Sequence, residues 1–464
     1  MLKIEELVTS TNGKYINGDK NYIPKNYIID SRLANEGDFF VPLIGENTDG
    51  HKYILDCVKS GISGFFISSE YDKKEEVIKD SININKDICI VEVLDTQKAL
   101  FEAGKYNREK HINIPVITVS GSVGKTSTRE MIASVLKMEK NVLVTQKNFN
   151  SCIGAPIMTL KMDNQDVCVF EAGIDDFNQM EMLSDLLKPD VCVLTVIGTS
   201  HIAALKTQEN IFNEKLKITS NIKGIKKVVL NSDDKYLKNV LSNDKYKTVF
   251  FGKDQAYNIT ITDDNIEFDT NIYNKKEHIV INQIGNHNIN NALCAIRVGE
   301  IFNLKVSSII KGIQNYKNFN KRLEKKYVKD ILIIDDTYNA SIDSMLSGLD
   351  TVNNLKSKRK IAVLGDMLEL GEMSNTLHSK VGESFKNLNF DYLFTYGDYA
   401  KNIYESGKQY FNEDKAKWFN SKEEMLQNIE KVIRKDDIIY FKASNALKFF
   451  EIIDKLIKYI EKSL

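Results

Sequence analysis

The sequence predicts an α/β protein of three domains, and three observations predict it. The chain has 464 residues, enough for about three domains. Short apolar, β-branched runs that end in polar residues alternate with helical patterns, first through the middle of the chain and again through its last third. That rhythm is the mark of parallel sheets covered by helices. One of these runs is followed by a glycine-rich turn, a lysine and a helical pattern, the order of a phosphate-binding strand–loop–helix unit.

The elements justify themselves in order. Residues 1–112 mix short strands (Asp38 to Pro42, Gly64 to Ile67, Ile88 to Val93) with helical stretches, and read as a mixed α/β domain. The polar segment Lys105 to Asn113 reads as a linker. Residues 113–317 carry the apolar runs Pro115 to Ser120, Asp166 to Phe170, Asp190 to Ile197 and Lys227 to Leu230, and read as a parallel sheet with helices. Residues 318–464 repeat the pattern with Ile331 to Ile334, Ile361 to Leu364, Tyr392 to Tyr396 and Ile438 to Phe441, a second, Rossmann-like α/β domain.

Bulk numbers exclude several functions. Net charge is -1, so there is no basic footprint for nucleic acid or for an anionic membrane. No apolar run approaches the ~18 residues needed to cross a bilayer. The six cysteines form no C-x-x-C pair and no disulfide framework. The polar N-terminus MLKIEELVTS does not read as a signal peptide, so the expected setting is the cytoplasm.

The chemistry starts at VITVSGSVGKTS, Val116 to Ser127. The strict Walker A spacing would need a glycine at Val119. The sequence has instead a shorter loop, Gly121, Ser122, Val123, Gly124, Lys125, Thr126 and Ser127. Two glycines let the backbone approach a ligand. The following helix, with Met131, Val135 and Met138 sharing a face, offers free N–H groups to an anion. In this reading Lys125 reaches terminal phosphates and Thr126 holds Mg²⁺; the bland alternative is a tight turn and a solvated lysine. Ligands of open parallel sheets bind beyond the carboxyl ends of the strands. Glu171 and His201 sit at two further such ends. A carboxylate beside a phosphate loop suits Mg²⁺, and His201 reads equally as a ligand or as a satisfied turn histidine.

Several motifs occur in order: NFNSCIGAP (Asn148 to Pro156), EAGI (Glu171 to Ile174), KPDVCVLTVIGTSH (Lys188 to His201), GNHNINNALCAI (Gly285 to Ile296), DDTYNAS (Asp335 to Ser341) and VLGDMLELGEMS (Val363 to Ser374). Together they resemble the Mur ligase family. The last motif and the segment from Asp30 to Ile54 resemble its branch that joins D-alanyl-D-alanine to UDP-N-acetylmuramoyl-tripeptide. The resemblance implies an ATP-dependent amide ligase of peptidoglycan precursor synthesis, working through an acyl phosphate; nothing in the sequence demands more than a monomer. Lys125, His201 and Lys215 would be catalytic. Two Mg²⁺ ions would be held by Thr126, Glu171, His201 and a carbamylated Lys215. His287, Asn288, Asn291, Arg322, Asp336 and Tyr338 would contact the nucleotide. Ser31, Arg32 and His51 would hold the UDP moiety of the substrate, and Asn148 and Asn150 would face its sugar and peptide. For Arg322 and Asp336 to reach the nucleotide, the third domain must swing onto the second. Without the resemblance Lys215 reads as a charged helix face, Asn288 as a helix cap and Asp336 as a turn residue.

The chain departs from the family pattern at Val196, at Asp175 to Asn178, at Ala203, Lys206 and Lys217, at Ile342, and in KASN (Lys442 to Asn445), where an arginine is usual in the last place. The departures fall on the substrate-facing shell. They keep open a ligase with another amine acceptor, or a nucleotide-binding module without turnover.

Overall fold

The computed structural model describes residues 1–46, 48–318, 321–356 and 359–463. Four sheets organise them. The first contains β1 (Lys14–Asn17), β2 (Tyr27–Ile28), β3 (Phe39–Phe40), β4 (Gly64–Ser68) and β5 (Cys89–Val93), in the order β1-β5-β4-β3-β2. Only its edge strand β1 runs antiparallel to its neighbour. The second holds β6 (Val116–Ser120), β7 (Val142–Val144), β8 (Val167–Glu171), β9 (Val191–Leu194), β10 (Lys227–Asn231) and β11 (Lys247–Phe251), in the order β11-β10-β9-β6-β8-β7. All of its pairings are parallel.

Parallel strands are buried on both faces, which is why they read as continuous apolar runs. Alternate residues of the second sheet feed two different cores. Ile117, Val119, Val169 and Val193 pack under the helices Lys125–Leu136 and His287–Ile301. Val116, Cys168, Phe170, Cys192 and Leu194 pack on the opposite side, against the helix Gln179–Leu187. The phosphate-loop helix ends at Leu136, so Met131 and Val135 are in the core and Met138 lies beyond its end.

A third sheet was not expected from the sequence. Strands β12 (Tyr257–Ile261), β13 (Ile266–Ile272) and β14 (Lys275–Ile281) form an antiparallel meander. Its Ile266, Phe268, Ile272, Ile279 and Ile281 face the core beneath the helix His287–Ile301. The fourth sheet is built from β15 (Glu324–Val328), β16 (Ile331–Asp335), β17 (Arg359–Gly365), β18 (Tyr392–Tyr396), β19 (Ala416–Phe419) and β20 (Asp437–Lys442), in the order β15-β16-β20-β17-β18-β19. Its pairings are parallel except at the edge strand β15. The two faces again feed separate cores, one of them closed by the amphipathic helix Phe449–Ser463.

The expected linker is instead a helix, and this corrects the sequence reading. Thr96–Lys110 is continuous, capped by Asp95, whose carboxylate accepts from the N–H groups of Gln97 and Lys98. Its polar residues misled because two of them are buried. Asn107 donates to the carbonyls of Thr159 and Met162. Arg108 donates to those of Leu187, His111 and Lys188. The same helix packs Ala99, Leu100 and Ala103 against Ile157 and Leu160, so one core runs from the first sheet into the second unit.

Candidate active site at the cleft between the second and third units

β6 lies between β8 and β9, so the ends of all three strands meet at one edge. The loop after β6 turns at Gly121 (φ 145°) and Gly124 (φ 86°). A Cβ at Gly121 would stand 2.1 Å from Thr195 Oγ1, the residue that follows β9. Thr195 Oγ1 in turn donates to the Val123 carbonyl at 2.6 Å, and the Ser122 N–H donates to the Val196 carbonyl at 2.7 Å. The missing Walker glycine is therefore replaced by a loop stapled to the neighbouring strand end.

Glu171, the last residue of β8, is buried behind the loop. Its Oε2 accepts from Thr126 Oγ1 (2.9 Å) and Arg129 Nη1 (3.0 Å), and its Oε1 from Asn150 Nδ2 (2.9 Å). Lys125 Nζ lies on its own loop, donating to the carbonyls of Gly121 (2.9 Å) and Ser122 (3.3 Å), and burial lowers its pKa. From the third unit Arg322 reaches across, donating through Nη2 to Thr126 Oγ1 at 3.0 Å. Its guanidinium stacks over the Tyr338 ring at 4.2 Å, and the Tyr338 hydroxyl donates to Asn148 Oδ1.

These groups line one cleft of about 850 Å³. Of the residues expected from the sequence, it contains Ser122, Val123, Gly124, Lys125, Thr126, Ser127, Asn148, Asn150, Glu171, His201, His287, Asn291, Arg322, Asp336 and Tyr338. Four buried polar atoms of its lining residues, Ser122 Oγ, His287 Nδ1, Asn290 Oδ1 and Arg322 Nε, have no hydrogen-bond partner among the described residues. His201 takes a left-handed backbone (φ 63°). Its Nδ1 lies 3.6 Å from Asp175 and 3.4 Å from Glu369, which comes from the third unit. Burial, with Lys215 and Lys125 nearby, pushes its pKa down to about 4, and burial does the same to His287. Both rings are neutral at pH 7.

Lys215 is fully buried behind the wall, and its Nζ has no hydrogen-bond partner among the described residues. Burial first and Lys125 second hold its pKa well below the usual lysine range. Gly121, where the loop turns, is buried and does not line the cleft.

Two expected contacts are corrected. Asn288 is buried away from the cleft; its amide donates to the Ile284 carbonyl and its oxygen accepts from Asn291. His51 is 1% exposed. The Ser68 N–H donates to its Nε2, so its Nδ1–H serves Asp49, and the ring stacks on Tyr71. With both nitrogens engaged it offers nothing to a substrate. Ser31 and Arg32 lie on an exposed turn outside the cleft, and Arg32 is held by Asp30 through two bonds. Sequence reasoning missed Arg129, Thr195, Glu369 and Lys442. Thr195 and Glu369 lie inside motifs whose spacing does not say which residues face a ligand, and Arg129 and Lys442 read as solvated until the fold buries them.

A phosphate loop on one α/β unit, reached by an arginine of a second, is the arrangement of an enzyme that holds a nucleotide between two units. Residues 119–299 match the Mur ligase middle domain, and residues 321–445 the Mur ligase, glutamate ligase domain. The chain belongs to the Mur ligase family. It is 32% identical over 434 residues, 92% of each chain, to the UDP-N-acetylmuramoyl-tripeptide–D-alanyl-D-alanine ligase of Bacillus subtilis (strain 168). The enzyme of the same name from Synechocystis sp. is 28% identical over 93% of this chain and 92% of its own. The fold superposes on the crystal structure of MurF from Acinetobacter baumannii with a TM-score of 0.85 at 25% identity, covering 98% of both chains.

Proposed function

We propose that the chain is an ATP-dependent amide ligase that adds D-alanyl-D-alanine to UDP-N-acetylmuramoyl-tripeptide, as the names of its full-length relatives indicate. The observation that carries the reading is the single cleft in which the phosphate loop, Glu171 and Arg322 meet. The step belongs to peptidoglycan precursor synthesis, and we place it in the cytoplasm and in a monomer. No helix among the described residues is long and apolar enough to cross a membrane.

The chemistry has two halves. The tripeptide carboxylate attacks the γ-phosphorus of ATP, and ADP leaves. The dipeptide amine then attacks the acyl carbon, the C–O bond to phosphate breaks, and the amine gives up a proton. The protein's part is positioning and charge neutralisation. The Gly121–Ser127 backbone cradles phosphates, Lys125 supplies a cation to the phosphoryl group in flight, and Arg322 supplies a second. His287, Asn291 and Tyr338 bound the base side of the nucleotide. Asn148 and Asn150 meet the sugar and peptide, and Ser31 and Arg32 the UDP moiety.

Mg²⁺ fits the residues present. An ion that keeps several waters and shares phosphate oxygens needs few protein ligands, and Thr126 Oγ1 and Glu171 Oε2 stand 2.9 Å apart at the phosphate loop. Thr126 and Glu171 would hold one ion, and His201 with Lys215 a second. Bound there, the ions would offset phosphate charge. Burial disfavours the charged form of Lys215, and its amine has no hydrogen-bond partner among the described residues; an unprotonated amine is the form that reacts with CO₂, and this supports carbamylation of Lys215. Carbon-13 bicarbonate should then give a carbamate signal by NMR that is lost in Lys215→Ala.

The deciding assay is phosphate release from MgATP with UDP-N-acetylmuramoyl-tripeptide, with and without D-alanyl-D-alanine, and the mass of the product. Dipeptide-dependent release with the ligated mass is expected. Release only with another amine would favour a second reading, motivated by Asn445, which lines the cleft where the family usually carries an arginine. No release with any amine would leave a nucleotide-binding module.

A further inference from the structure

Asp336 stands on the cleft wall, yet its carboxylate is already engaged. Oδ2 accepts from Lys442 Nζ at 2.6 Å and from the Tyr440 hydroxyl at 3.0 Å. Oδ1 accepts from the backbone N–H of Leu323, the neighbour of Arg322, at 3.2 Å. Lys442 Nζ also donates to the Asn339 carbonyl at 3.2 Å, just past Tyr338. Lys442 is 2% exposed and Tyr440 0%.

The fold makes room for this network at a cost. Gly348 sits inside the helix Ile342–Asn353, where glycine is unfavourable by about 1 kcal/mol relative to alanine. A Cβ there would stand 1.8 Å from the Tyr440 hydroxyl and 3.2 Å from Asp336 Oδ2. Burying a charged pair is itself expensive, and an apolar pair of equal volume is often as stable. A buried network of this kind, spanning two loops, has a use in fixing where those loops sit.

We propose that Lys442, Asp336 and Tyr440 form a positioning unit that delivers Arg322 and Tyr338 to the nucleotide. Asp336 grips the chain beside Arg322, Lys442 grips the chain beside Tyr338, and the two side chains stack on each other over Thr126. Asp336, on the cleft wall itself, acts through these two loops. The inference rests on the reading that ATP occupies this cleft.

The test is a double-mutant cycle in the full-length enzyme, read as KM for ATP, as the dissociation constant of ADP, and as melting temperature. Binding of ADP by the unmodified enzyme checks the underlying reading separately; its absence would sink that reading, whatever the cycle shows. Lys442→Met and Arg322→Ala should each raise KM for ATP by about tenfold, the scale of one charged contact. If Lys442 acts through Arg322, the double variant will match the worse single variant within about twofold. Tyr440→Phe removes one bond and keeps the shape, and should raise KM by a few-fold with the protein folded. Lys360→Met, a buried lysine of the same sheet bonded to the Asn353 carbonyl, is the control for plain destabilisation. It should lower the melting temperature and leave KM for ATP alone. Multiplying effects in the Lys442–Arg322 cycle would overturn the proposal, as would an equal KM rise in Lys360→Met. If Lys442→Met fails to fold, Tyr440→Phe paired with Arg322→Ala runs the same cycle.

Discussion

At the scale of single residues, the site is a set of charges in and behind the cleft wall, with Glu171 and Lys215 buried and Lys125 and Arg322 half-buried. Lys125→Met should lower kcat by about 10²- to 10³-fold with the melting temperature nearly unchanged, the loss seen when one group facing developing charge is removed. Steady-state phosphate release checks it. Gly121→Ala should be worse for folding than for chemistry, because the added methyl meets Thr195 at 2.1 Å on a backbone at φ 145°. His287 gives a pH signature. Its folded pKa of about 4 lies below the ordinary 6.5 because burial disfavours the charged ring. Between those values the unfolded chain binds the extra proton, so its contribution to stability is complete above about pH 6.5 and lost as pH falls toward 4. One such group contributes a slope of at most about 1.4 kcal/mol per pH unit. Melting curves from pH 7 to 4.5 should steepen in that window and flatten in His287→Gln. What the sequence disclosed at this scale was the part with a fixed local spacing. Lys125 and Thr126 follow a strand and open a helix, and Glu171 ends a neighbouring strand. His51 and Asn288 were misassigned because a motif does not say whether a polar group is already satisfied by its own backbone neighbours.

At the scale of elements, legibility tracks burial. Parallel strands such as β8 and β9 are apolar throughout and could be read directly. The meander β12–β14 could not, because its outer face is polar and β12 is exposed along its length, leaving only alternate isoleucines as a signal. The helix Thr96–Lys110 failed for the opposite reason, its polar residues being turned inward. Arg108→Leu tests that account. It leaves the carbonyls of Leu187 and Lys188 without their donor, and we expect a loss of about 2–4 kcal/mol by denaturant titration, against under about 0.5 kcal/mol for the exposed Lys98→Leu.

At the scale of the whole molecule, the second and third units meet through polar groups around the cleft and through Ile284, which joins the core of the third unit beside Leu323. Arg322 with Thr126, His201 with Glu369 and Lys325 with Asp264 span the gap. Contacts of that kind leave relative domain motion as the default. The radius of gyration from small-angle scattering should fall when a non-hydrolysable ATP analogue and the tripeptide substrate are added together; an unchanged value would count against closure. The first and second units are joined differently, by a helix that shares a core with both. Lys105, Arg108 and Lys110 stand where trypsin would cut an open chain. A protease needs several residues of extended backbone in its groove, and here it meets a hydrogen-bonded helix with Arg108 fully enclosed. Brief digestion of the native protein will therefore leave the first two units travelling together as one fragment.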